Sequence, residues 1–106
     1  MAKQLNYFVH HVYFWFKKPV SKKDKTRFEA ALKNLVTVNT IVEMHLGVPA
    51  STRRDVVDRS YTYSLVTTFK NKEDHDIYQT HPTHLKFIDE CADLWEKVVV
   101  YDSISI

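Results

Sequence analysis

Tyr7-Phe8-Val9-His10-His11-Val12-Tyr13-Phe14-Trp15-Phe16 consists almost entirely of aromatic and β-branched residues, which fit a pleated, packed surface better than a helix. As a strand it alternates Val9, His11, Tyr13 and Trp15 on one face with Phe8, His10, Val12, Phe14 and Phe16 on the other. Both faces are largely apolar, so both need a cover. Pro19 ends the run.

The elements that could supply a cover follow in order. Ser21 and Asp24 have the spacing of a helix N-terminal capping box, with Asp where Glu or Gln is usual. Phe28, Leu32, Leu35 and Val36 then recur at helical spacing, while Lys22, Lys23, Lys25 and Lys33 stay in water. From Thr40 to Val48 the alternation of Val42, Met44, Leu46 and Val48 predicts a half-exposed second strand. Pro49 to Ser60 is a polar connection, either a flap or a long solvated hairpin loop. Tyr61 to Phe69 alternates as a third strand, and Asn71 with Asp74 offers the next helix cap.

That helix is expected over Lys72 to Thr80, stopping at His81 because a residue before proline is pushed away from helical geometry. Pro82 suits the first turn of another helix, whose buried stripe is expected to run through Leu85, Ile88, Ala92 and Trp95 with Phe87, Cys91 and Leu94 beside it. Val98 to Ile106 closes the chain as a fourth strand. The order β-α-β-β-α-β is that of an α+β, ferredoxin-like unit, a four-stranded antiparallel sheet with its helices on one face. Because the first strand is apolar on both faces, the open face calls for a second copy of the chain. A homodimer is the expectation.

The whole-chain figures agree. At 106 residues the chain has the size of one domain, residues 1–106, and its 44% hydrophobic and 26% charged content is ordinary globular usage. Six tyrosines, six phenylalanines and two tryptophans are more than a monomer of this size easily hides. The net charge is +2 without a basic stripe, so no nucleic-acid partner is expected. A single cysteine, Cys91, excludes an internal disulfide and reads as a small buried apolar residue. Met1 to Asn6 is short and polar, and His10 and His11 interrupt the apolar run after it. Neither a secretion signal nor a membrane span is expected, and a cytoplasmic location follows.

The segment Tyr78-Gln79-Thr80-His81-Pro82-Thr83-His84-Leu85-Lys86-Phe87 places a phenol and two imidazoles around a proline break, where side chains can turn toward the sheet. One reading is a proton-transfer pair, His84 as base or acid and Tyr78 donating a hydrogen bond to a carbonyl or enolate oxygen. The other has His81 capping the helix and His84 bonding a backbone carbonyl. His11 shares its strand face with Val9, Tyr13 and Trp15, either as a pocket residue or as a buried, satisfied histidine. His81 and His84, with His10, His11 and His45 on strands, make only a weak case for zinc, so no metal is expected. With Gly47 as the single glycine there is no phosphate loop and no GxSxG elbow, and no organic cofactor signature appears.

Three elements together resemble the stress-responsive A/B barrel domain: His11-Val12-Tyr13-Phe14-Trp15-Phe16-Lys17, the Tyr78 to His84 segment with His81-Pro82-Thr83-His84, and Trp95-Glu96-Lys97-Val98-Val99-Val100-Tyr101-Asp102. The resemblance covers nearly the whole chain and implies a dimeric α+β barrel of ferredoxin-like subunits with a small-molecule pocket. One plant branch of that family closes poly-β-keto chains without a cofactor. By that likeness Tyr78 and His84 take the acid and base roles, and His11 and Trp95 match further pocket positions. Tyr63 stands where that branch has histidine, and bulky Tyr13 and Trp15 imply a smaller or differently shaped pocket. The expectation is a binding protein for a small aromatic or polyketide-like compound, with a cofactor-free cyclase or lyase and a non-catalytic structural stress protein as alternatives. His11, Tyr13, Trp15, Tyr63 and Trp95 would be the ligand-binding set, and no cofactor is expected.

Overall fold

The apolar strand occupies the middle of the sheet. In the computed structural model, which describes residues 1–106, β1 (Phe8–Phe16) is followed by α1 (Lys22–Leu35), β2 (Met44–Gly47), β3 (Tyr63–Phe69), α2 (Lys72–Thr80), α3 (Pro82–Cys91), a 3-10 turn (Ala92–Leu94) and β4 (Trp95–Ile104). The sheet order is β2-β3-β1-β4, and every neighbouring pair is antiparallel. This is the ferredoxin-like α+β arrangement.

Local chemistry sets the helix ends. The Ser21 hydroxyl accepts from the Asp24 amide at 3.0 Å and the Asn71 side chain from the Asp74 amide at 2.9 Å, so each helix starts where its cap stands. Pro82 interrupts what would otherwise be one long helix, and His81 between the two pieces has extended backbone. No helix is long and apolar enough to cross a membrane.

The core lies between the helices and one face of the sheet. Val12, Phe14 and Phe16 from β1 meet Phe28, Leu32 and Leu35 from α1, with Tyr63, Leu65 and Phe69 from β3 and Phe87 from α3. Phe28 is the hub: its ring centroid lies 5.1 Å from Phe14, 4.8 Å from Phe16 and 4.9 Å from Tyr63, mostly edge to face. The opposite face of β1 carries only half-buried residues. There Tyr13, Trp15 and Tyr61 gather with Tyr101 of β4, which is 63% exposed.

Several boundaries differ from the sequence expectation. β2 begins at Met44 instead of Thr40, although Val42 still donates to the Thr68 carbonyl. β3 begins at Tyr63 instead of Tyr61. α3 stops at Cys91, and Trp95 opens β4 instead of extending the helix stripe, three residues ahead of the expected Val98. The Ala92–Leu94 turn leads the chain into the sheet there. Trp95 then pairs with Phe16 next to a register irregularity in β1.

Candidate functional site

Under α2 and α3, the helix side of β1 opens into a cavity of about 190 Å³. Its polar lining is His10, Tyr78, Gln79 and His84, and its apolar walls include Phe14, Phe87 and Trp95. The break at His81-Pro82 makes this cluster possible, because it lets α3 turn back so that the His84 ring sits 4.7 Å from the Tyr78 ring.

Each member is held from a different element. The Nδ1 of His84 lies 3.0 Å from the Gln79 carbonyl oxygen, so the neutral ring donates there and carries its lone pair at Nε2. Burial pulls the pKa of His84 below its ordinary value, opposed by the Gln79 bond, and nearby His10 and His75 lower it further. Tyr78 is 1% exposed, and burial alone pushes its phenol well above the ordinary range. The phenol is therefore a donor and not a base at neutral pH. Burial thus moves the two pKa values in opposite directions, the phenol up and the imidazole down.

His10 completes the cluster from β1. Its Nδ1 meets Asp102 Oδ1 at 2.5 Å across the β1–β4 ladder, where the two residues are direct register partners. Burial lowers the His10 pKa, and the Asp102 bond opposes the shift. From α2, His75 stacks on Phe8 at 4.4 Å, approaches the His10 ring at 5.0 Å, and bonds Asp76 and Gln79.

The proline segment makes the capping and carbonyl contacts expected of its histidines. His81 accepts from the Thr83 amide at 3.1 Å and caps α3, and His84 does bond a backbone carbonyl. The same His84 nevertheless lines the cavity with Tyr78, so the carbonyl bond fixes its tautomer without removing it from the site. Trp95 lines that cavity as well.

The expected strand face is corrected by one residue. The face of β1 that lies under the helices carries His10, Val12, Phe14 and Phe16, whereas His11, Tyr13 and Trp15 point to the open side of the sheet. Because both faces are apolar, alternation alone does not tell which one the helices take. The cavity is small because of Phe14, Phe87 and Trp95; Tyr13 and Trp15 take no part in it. Tyr63 faces the helices but lines a separate cavity of about 290 Å³ between α1 and β2, where its hydroxyl donates to Glu29 at 2.6 Å. Burial first, and then Glu29, raise that phenol's pKa beyond the ordinary range. Sequence reasoning passed over His75 and Asp102; the available signal was the spacing of His75 and Tyr78, three apart on one helix face.

The model of the stress responsive A/B barrel domain matches residues 8–105. This chain belongs to that family. Olivetolic acid cyclase of Cannabis sativa is 26% identical to this chain over 94 residues, covering 88% of this chain and 91% of the cyclase. The hydroxynitrile lyase of Passiflora edulis superposes with a TM-score of 0.76 at 25% identity, over 93% of each chain. A dimeric ferredoxin-like protein from Thermobifida fusca shares the fold at a TM-score of 0.75 and 16% identity, covering 93% of this chain and 92% of that one.

Proposed function

We propose that this A/B barrel protein is a homodimer that binds a compact carbonyl compound in the cavity under α2 and α3 and acts on it as a cofactor-independent lyase. The observation that carries the reading is the pairing of Tyr78 with His84, one an unbonded phenol kept protonated, the other a neutral imidazole with its lone pair held at Nε2. His84 Nε2 takes a proton from the carbon beside the carbonyl, and the Tyr78 hydroxyl donates to the oxygen as negative charge develops on it. The resulting enolate carbon forms the new bond to a second carbonyl, and the proton on His84 returns to the alkoxide. Relatives named as a cyclase and a lyase support chemistry over storage.

The volume bears on substrate size. A space of about 190 Å³ equals roughly six waters and lies below the ~300 Å³ at which drug-sized pockets begin. A single ring or a short keto chain is the matching size. Dimerisation is supported by the half-buried aromatic face of the sheet and by the dimeric relative.

The test is hydrogen exchange at the α-carbon of acetophenone in heavy water, followed by NMR, with binding measured on the same compound. The parent chain should accelerate exchange, and His84→Gln should lose ~100-fold or more of that rate while affinity stays within a few fold. Binding without exchange would favour the second reading, a binding module, which the enclosed apolar walls also fit. Absence of both for acetophenone and for short β-diketones would remove the cavity from either role.

A further inference from the structure

At the rim of that cavity, toward the end of β4, three further groups converge from three elements. His10 on β1 is 4% exposed, His75 on α2 is 9% exposed, and Asp102 on β4 keeps a partly open side chain. One nitrogen or oxygen from each lies within 4.8 Å of the others. We propose that His10, His75 and Asp102 hold a divalent transition-metal ion of the zinc class. The proposal does not depend on the Tyr78–His84 reading and stands whether or not that pair turns a compound over.

The donor set selects the class of ion. Two imidazoles and one carboxylate suit zinc and its late first-row neighbours, whereas calcium and magnesium favour oxygen donors. Three protein ligands leave a fourth position for water or a ligand. Asp102 is the group on the solvent side, so exchange can take place there.

The surroundings already orient the donors. Asp76 Oδ1 lies 3.1 Å from His75 Nδ1; with that nitrogen donating to the carboxylate, the lone pair of the ring sits at Nε2, which accepts from the Gln79 amide at 3.2 Å. A carboxylate behind a histidine is the usual outer support of a metal-bound imidazole. Phe8 stacks on His75, and Phe69 meets both imidazoles edge-on, so the inner side of the cluster is dry and its rings are fixed.

Loading the site requires three adjustments. The proton between His10 Nδ1 and Asp102 Oδ1 leaves, and their 2.5 Å contact opens by about 0.9 Å, since donors ~2.1 Å from a tetrahedral ion lie about 3.4 Å apart. The Gln79 amide swings off His75, and the donor set, now spread over up to 4.8 Å, closes toward that spacing. Register pairing of His10 with Asp102 keeps the first two donors together throughout.

The full chain, stripped of metal by chelation, is titrated with cobalt(II) and then with zinc(II). One cobalt per chain should bind with visible d–d absorption, and zinc should displace it. His75→Gln and Asp102→Asn should each weaken cobalt binding by at least ~10-fold, and zinc should raise the melting temperature of the parent but not of Asp102→Asn. His45→Gln, at an exposed strand position, should leave binding unchanged. If His75→Gln fails to fold, Asp102→Asn at its partly open position gives the same reading. Failure to saturate at one ion per chain, binding undiminished in Asp102→Asn, or binding lost in His45→Gln would each overturn the proposal.

Discussion

The Nδ1 of His84 lies 3.0 Å from the carbonyl oxygen of Gln79, five residues earlier and on the other side of the helix break. A carbonyl only accepts, so this one contact decides which nitrogen of the ring is the base.

A pH dependence follows. The folded-state pKa of His84 lies below its ordinary 6.5, chiefly through burial, with Tyr78, His10 and His75 as its facing groups. Below pH ~6.5 the unfolded chain therefore binds more protons at this residue than the folded one. The stability due to a neutral His84 is complete above that pH and is lost as pH falls through it toward the folded pKa. Thermal melts between pH 7.5 and 5.5 should show a shallower decline for His84→Gln than for the parent. Equal slopes would mean that the ring titrates as an exposed one.

Tyr78→Phe separates stability from recognition. The shift of the Tyr78 phenol has burial as its single cause, with no hydrogen bond contributing, so removing the hydroxyl should change folding stability by less than about 1 kcal/mol. The exchange reaction should slow by ~10-fold or more, because the donor to the developing oxyanion is gone. Urea denaturation alongside the exchange assay reads both. A large stability loss would reveal a structural bond of this hydroxyl.

Phe14→Asp tests the core. Phe14 is 3% exposed and sits against Phe28, Phe87 and Trp95, so a carboxylate there lacks both water and a cation. A loss of several kcal/mol is expected, enough to unfold a domain of this size. Circular dichroism that matches the parent at 25 °C would show the side chain to be more accessible than its packing indicates.

Tyr101→Asp tests the opposite face. Tyr101 is largely exposed in the single chain and joins Tyr13 on the open side of the sheet. Light scattering should return a dimer mass for the parent, with an interface of about 1,600 Å² or more, and a monomer mass for the variant with its secondary structure intact. A parent that is monomeric at micromolar concentration would contradict the dimer.

Thr67→Val examines a buried hydroxyl. Thr67 is fully buried in β3, and its Oγ1 has no hydrogen-bond partner, so valine of nearly the same shape should be neutral or stabilising by about 1 kcal/mol. A clear loss in the urea midpoint would point to a partner for that oxygen.

What the sequence makes legible depends on where the pattern is one-sided. Helix starts at Ser21 and Asn71 and the stop at His81 are written in local chemistry, and the structure has them there. The site is harder to read. His10 and His11 are adjacent in a strand whose faces are equally apolar, and only the packing of α1 and α3 decides between them. Trp95 has both helical spacing with Ile88 and strand character with Val98, and the short Ala92–Leu94 turn resolves it. The meeting of His10, His75 and Asp102 is a tertiary event between residues far apart in the chain. No local period announces it.

The interruption between α2 and α3 has one more consequence. On an unbroken helix, residues six apart would project about 120° from each other around the axis, so Tyr78 and His84 would look in different directions. Their facing rings are thus a property of the peptide segment at His81-Pro82, not of either side chain. The position most able to retire or retune the pair is a residue with no functional group. Drift at Pro82 toward an ordinary helix former would silence the cavity while leaving every reactive side chain in the sequence.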